Sequence, residues 1–340
     1  MEFKDFVDKY KDDIYKKICE YVPLKEPMGH YQIMRDYIDR RGKYRRPGLL
    51  LLTAHLYGGT LKDALLPAAA QQLSEDWILM QDDIEDDSEL RRGKPAAQKI
   101  YGWVNALNAT NTGHIAMWKM LKDYILQVGS DKGNRLYNRF YDMLECTVEG
   151  QYIENTFIHY TKDLNKADEA TYFKIVYAKT AYYTVFGPMV LGAIASGAKD
   201  SDLQMLKEIG EKTAYAFQIV DDILDLTADE KTFGKKNNGD LFEGKITIPV
   251  LHAYKNANRE ERERMNSTFA KQRKDKTNDE IMFIRSLMEK YKSIEYAQTM
   301  AERYGEEAHK LYDKYKNQLP NNEYRDVLLS AINELYIRNK

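Results

Sequence analysis

Apolar residues return at intervals of three and four along nearly the whole chain, and that spacing admits helices and little else. Leu203, Leu206, Gly210, Thr213, Phe217, Val220 and Leu224 form one such stripe, and Ile281, Ile284, Leu287 and Met288 form another. On an α-helix these positions share a face. No long alternating run and no Asn-Gly hairpin between such runs marks a sheet. No low-complexity linker or shift in composition divides the chain, so residues 1–340 read as one all-α domain. Pro47 opens an apolar stretch, Asp200-Ser201-Asp202 reads as a helix cap, and Ala181 to Ala198 reads as a buried helix. The segment from Lys231 to Lys245 reads as a loop. Roughly the last ninety residues, polar and periodic, read as surface helices.

Two acidic pentads interrupt this pattern: Asp82-Asp83-Ile84-Glu85-Asp86 and Asp221-Asp222-Ile223-Leu224-Asp225. Each closes a long apolar stretch. Residues four apart on a helix point about 40° from one another, so Asp82 and Asp86 share a face, as do Asp221 and Asp225. Like charges at that spacing cost a helix a few tenths of a kcal/mol, which a bound cation would offset. Oxygen donors without His or Cys nearby suit a hard ion, Mg²⁺ above all, which completes its shell with water and phosphate oxygens. Two such sites on long helices suggest a metal-bridged diphosphate across the interior of a bundle. A lone acidic pentad is most often a solvated face. Two of them, each flanked by apolar runs and basic loops, are not.

Basic residues stand beside the acids. Arg91 and Arg92 follow the first pentad, Lys43 and Arg46 lie ahead of it, Lys179-Thr180 precedes the second, and Lys235, Lys236 and Lys245 follow it. A diphosphate carries roughly three negative charges and needs fixed donors as well as metal. Other classes fit poorly. The net charge of −2 offers no positive field for nucleic acid. Cys19 and Cys146 alone make no disulfide scaffold and fit a reducing cytoplasm. The charged N-terminus is no signal peptide, and no uncharged apolar run is long enough to span a membrane. His55, His114, His159 and His252 show no ligand spacing and read as structural.

Six blocks in order now become specific. They are Gly-Lys-Tyr-Arg-Arg-Pro at 42–47, the run from Asp82 to Pro95, Gly150-Gln151, Lys179-Thr180, the run from Phe217 to Asp225, and Gly234-Lys235 through Asp240 to Gly244-Lys245. Together they resemble the trans-isoprenyl diphosphate synthases, the farnesyl and geranylgeranyl diphosphate synthase family, from about Gly42 to Pro249. The resemblance implies an isoprenoid synthase-type helical bundle around a central apolar cavity. It implies a homodimer that condenses isopentenyl diphosphate with an allylic diphosphate, using roughly three Mg²⁺ ions. Asp82, Asp86 and Asp221 would hold those ions, with Asp83, Asp222 and Asp225 in or just behind the ligand set. Arg91, Lys179 and Lys235 would bind the allylic diphosphate, with Lys245 close by, while Lys43, Arg46 and Arg92 would bind that of isopentenyl diphosphate. Thr180 and Gln218 would turn their oxygen dipoles toward the allylic cation. Ile78 and Trp77, four and five residues before Asp82, would set the floor of the tunnel. One aromatic there resembles the archaeal-type geranylgeranyl enzymes more than farnesyl enzymes with two, so a C20 product is favoured over C15.

Two departures stand out. Glu75, seven residues before Asp82, occupies the place of a His or Gln that donates to isopentenyl diphosphate in relatives. A carboxylate only accepts, so Glu75 must pair with Lys43 or Arg46, or the acceptor site is altered. Thr110-Asn111 stands where many relatives carry Gly-Asp, a change expected to affect packing only. Glu75 keeps a second class open: a terpene synthase, or a prenyltransferase with a different acceptor. A non-catalytic regulatory subunit is a third, which the intact pentads oppose.

Overall fold

The structure, a computed structural model, describes residues 1–227 and 238–336. Its helices are α1 (Phe3–Tyr21), α2 (Met28–Asp39), α3 (Arg45–Leu56), α4 (Leu61–Glu85), α5 (Ala97–Tyr101), α6 (Trp103–Val128), α7 (Ser130–Thr156), α8 (Glu169–Val176), α9 (Gly187–Ala195) and α10 (Asp200–Thr227). After the segment outside the described residues come α11 (Gly239–Glu243), α12 (Ile248–Asn256), α13 (Arg259–Phe269), α14 (Asn278–Lys290), α15 (Ser293–Tyr315) and α16 (Glu323–Tyr336).

Helix α4 is buried on every side between Ala68 and Trp77 because neighbours surround it. Gln71, Gln72, Ser74, Glu75 and Asp76 are buried there together with the apolar residues, and buried polar groups need partners. Its polar C-terminal turn, Asp82 to Glu85, emerges at one end of the bundle. The second half of α10 carries Asp221, Asp222 and Asp225 to the same end. Close helix contact is set by small residues. A Cβ on Gly192 of α9 would stand 1.9 Å from the Leu50 carbonyl oxygen, so only glycine lets α9 lie against α3.

Four local expectations needed revision. A two-residue hairpin, β1 (Leu90–Arg91) and β2 (Lys94–Pro95), follows the first pentad. Its turn is Arg92-Gly93, with φ of +52° and +76°, the positive angles that a tight hairpin turn demands. The stretch from Ala181 to Ala198 is buried but is not one helix: Tyr177–Phe186 is a π-helix, and α9 begins only at Gly187. The C-terminal helices are more than surface. Val327, Leu328 and Ile332 of α16 join the core built by α1 to α7. Ile281, Ile284 and Leu287 of α14 join a second core with Ile219 and Ile223 of α10. Part of the expected loop before Lys245 is the short helix α11. At the expected cap of α10, Asp200-Ser201-Asp202, the Lys199 backbone N–H donates to Asp202 Oδ2 at 3.0 Å. No described helix is long and apolar enough to cross a membrane.

Candidate active site

A cavity of about 460 Å³ opens between α4, α7, the π-helix and α10. Asp82 and Asp221, the first residues of the two pentads, both line it. They are 139 positions apart in sequence, and the bundle brings their helices to one end. Trp77, Ile78 and Phe217 supply apolar wall. Arg46, Glu75, Lys179, Thr180 and Gln218 supply the polar groups.

The second aspartate of each pentad points elsewhere, because adjacent helical residues diverge by about 100°. Asp83 is fully buried and does not line the cavity. It accepts from Tyr37 Oη at 2.6 Å and from Arg91 Nε at 2.9 Å. Asp222 accepts from Tyr172 Oη at 2.7 Å and from Gln218 Nε2 at 2.8 Å. The sequence reading put Asp83 and Asp222 in or just behind the ligand set, and the structure places each behind the cavity lining as an internal anchor held by a buried tyrosine. Through Asp83 the first motif orients Arg91. An Asp83→Asn variant leaves Arg91 with only Asp82, at 3.6 Å. Its unfolding free energy in urea is expected to fall by about 3 kcal/mol, and a loss below about 1 kcal/mol would refute the anchoring role.

The fifth positions are tied to α11 and its flanks. Asp86 is buried with Lys245 Nζ at 3.4 Å. Asp225 Oδ2 accepts from the Asp240 backbone N–H at 3.1 Å. Among the described residues no three carboxylates converge on one point. Lysines and arginines balance their charge instead: Lys179 stands 3.9 Å from Asp82 and is paired with Glu154. Lys245 also binds Glu243 at 2.5 Å. The balance is incomplete. Burial, with Asp82, Glu243 and Glu154 nearby, raises the Asp86 carboxyl well above the usual range despite Lys245. Burial and Asp240 do the same to Asp222. Excess negative charge on oxygen donors fits a divalent cation at this end of the cavity.

Lys179 and Thr180 reach the cavity from the π-helix, and the Thr180 hydroxyl donates to Gln218 Oε1 at 2.7 Å. π-Turns widen the helix and often mark functional positions. Gln151 donates to Asp82 Oδ1 at 3.2 Å and to Glu85 Oε2 at 2.7 Å. Arg91, Arg92 and Lys245 sit behind the lining, and Lys43 is exposed ahead of α3. Lys235 lies outside the described residues. About two turns back along α4 from Asp82, Glu75 pairs with Arg46 at 3.0 Å, one of the two partners expected for it. Asp76 pairs with Arg92 at 3.0 Å.

The sequence reading missed Tyr37, Tyr172, Glu154, Tyr183, Glu243 and Arg273. Arg273 binds Glu243, which holds Lys245, and donates to the Asp86 carbonyl at 3.4 Å. No motif marks any of them. Each is a single residue whose meaning depends on what the fold sets beside it.

Residues 29–288 match the polyprenyl synthetase family. The chain is 30% identical over 303 residues to a short chain isoprenyl diphosphate synthase of Methanothermobacter thermautotrophicus, covering 88% of this chain and 89% of that one. It is 35% identical over 229 residues to a geranylfarnesyl diphosphate synthase of Aeropyrum pernix, covering 66% and 70%. The crystal structure of geranylgeranyl pyrophosphate synthetase from Pyrococcus horikoshii superposes with a TM-score of 0.86 at 28% identity, covering 99% of each chain. The Pyrococcus structure shares the all-α bundle, and the names of the three proteins differ in product. With this match and with the first aspartate of each pentad at one cavity, the chain belongs to the polyprenyl synthetase family and is a prenyltransferase of the trans-isoprenyl diphosphate synthase type.

Proposed function

We propose that the chain condenses isopentenyl diphosphate with an allylic diphosphate, depends on Mg²⁺, and makes a short all-trans product, C20 in preference to C15. The observation that carries this is the meeting of Asp82 and Asp221 at one cavity with Lys179 beside them. Asp82, Asp86, Asp221 and Asp225 are the residues that would hold the ions. When bound, Mg²⁺ neutralises the departing diphosphate and so favours the allylic cation. Lys179, Arg91 and Lys245 hold the leaving group in place, with Lys235 assigned to the same task from the motif. Thr180 and Gln218 present oxygen dipoles to the cation. Trp77, Ile78 and Phe217 keep water from quenching it. Arg46 and Arg92, with Lys43, align the second diphosphate so that its double bond attacks.

A second reading keeps the ionisation and changes the acceptor. It is favoured by one observation, the Glu75 carboxylate on Arg46. Purified protein incubated with Mg²⁺, labelled isopentenyl diphosphate and geranyl or farnesyl diphosphate separates the cases. Labelled C20 diphosphate is the expected product. Hydrocarbon formed from the starter alone supports a terpene synthase, and no turnover with any starter supports a regulatory subunit.

A homodimer is part of the same proposal. The outward faces of α6 and α7 expose Trp103, Leu107, Ile115, Val148 and Tyr152. Val148 and Tyr152 line the cavity although they are 58% and 70% exposed, so a second copy on this face would complete its wall. Sedimentation equilibrium is expected to give twice the chain mass, and Ile115→Glu is expected to shift it toward monomer. A wild-type monomer at micromolar concentration refutes this. Cys19 and Cys146, both free thiols, support a cytoplasmic location.

A further inference from the structure

The acceptor wall holds a closed set of four charges. Glu75 lies 3.0 Å from Arg46 and 3.8 Å from Arg92, and Asp76 lies 3.0 Å from Arg92. Glu75 and Asp76 are 8% and 1% exposed. Glu75 lines the cavity, and its Oε2 has no hydrogen-bond partner among the described residues; the same is true of Arg46 Nε. The other groups that face the set come from every neighbouring element. Tyr183 of the π-helix lies under the Arg46 guanidinium at 5.0 Å. Tyr44, just ahead of α3, and Arg91 of the hairpin add their fields at Asp76 and Arg92. Gln72 donates to Asp76 at 3.2 Å.

We propose that Glu75 and Asp76 are internal counter-ions of the acceptor subsite, exchanged for the acceptor's diphosphate with uptake of a proton. This rests on the proposed role of Arg46 and Arg92 in holding that diphosphate. An arriving diphosphate takes the guanidiniums that the two carboxylates use. The carboxylates remain buried, lose their cations and gain a negative neighbour. Desolvation and like charge then both favour the neutral acid. Burial already lifts the Asp76 carboxyl to about 7 against the pull of Arg92. Once protonated, a carboxyl donates through its O–H. Asp76, buried on Arg92 beside Glu75, thereby makes the acceptor site proton-linked, and the site discriminates between the two substrates by pH.

Linkage sets the sign. The bound state holds more protons than the free state, so affinity for isopentenyl diphosphate falls as pH rises, by up to about tenfold per pH unit for one proton. The allylic diphosphate has the same phosphate ionisation and binds away from this wall, so it is the internal control. Isopentenyl diphosphate alone does not react, which allows calorimetric titration of the wild-type protein with Mg²⁺ in buffers of different ionisation enthalpy. Uptake of on the order of one proton per site near pH 7.5 is expected. In steady state, KM for isopentenyl diphosphate is expected to rise between about pH 6.5 and 8.5 while KM for the starter does not follow. Glu75→Gln is expected to lower the first KM by removing a competing counter-ion, and Asp76→Asn is expected to flatten its pH slope; either variant tests the exchange should the other fold poorly. Binding and turnover without proton uptake, or equal slopes for both substrates, overturn this inference alone. Absence of any binding of isopentenyl diphosphate overturns it together with the acceptor-site reading.

Discussion

Asp82→Ala and Asp221→Ala are each expected to reduce turnover by a factor of about 10³ or more while leaving helicity unchanged. The size follows from the task. Stabilising a departing diphosphate through a cation is worth several kcal/mol, and each 1.4 kcal/mol is about tenfold in rate. The unchanged fold follows from position. Asp82 and Asp221 line the cavity, whereas Asp83 and Asp222 bear the structural contacts. Removing a carboxylate from a like-charged helix end also relieves repulsion. Rates and circular dichroism measured together test both halves. Turnover within tenfold of wild type would remove these residues from the ionising site, and lost helicity would show them to be anchors.

Trp77→Ala is expected to lengthen the product by one or more C5 units. The indole is only 6% exposed and packs on His114 of α6, with ring centroids 5.0 Å apart. Behind it α6 comes close: a Cβ on Gly113 would lie 2.9 Å from the Trp77 Cβ. Truncating a buried aromatic normally costs about 3–5 kcal/mol. Here the vacated volume joins an existing cavity instead of forming a closed void, so the gain is space for a longer chain. Chromatography of the dephosphorylated products reads the length directly. An unchanged product distribution would remove Trp77 from the floor of the tunnel.

The pentads were legible because like charges inside an apolar helix are costly, and a linear pattern displays that cost. Which aspartate of each pair faces the cavity was not legible. A helix fixes the angle between Asp82 and Asp83, but its rotation within the bundle depends on Tyr37 and Arg91, which arrive from other elements. Lys179 and Thr180 were found from their motif, yet the π-helix that presents them left no mark in the sequence. Arg273 shows the limit most plainly: it reaches the Asp86 carbonyl across 187 positions.

Periodicity and charge, which act over one or two helical turns, were enough to establish an all-α chain, two acidic helix ends and the basic residues around them. The tertiary fold alone decided that Asp82 and Asp221 share one cavity, that their neighbours turn inward as anchors, and that Glu75 spends its charge on Arg46. The reason is range. Local spacing sets which residues share a helical face, whereas the partner of a buried charge is whatever the packing of distant helices places within about 4 Å.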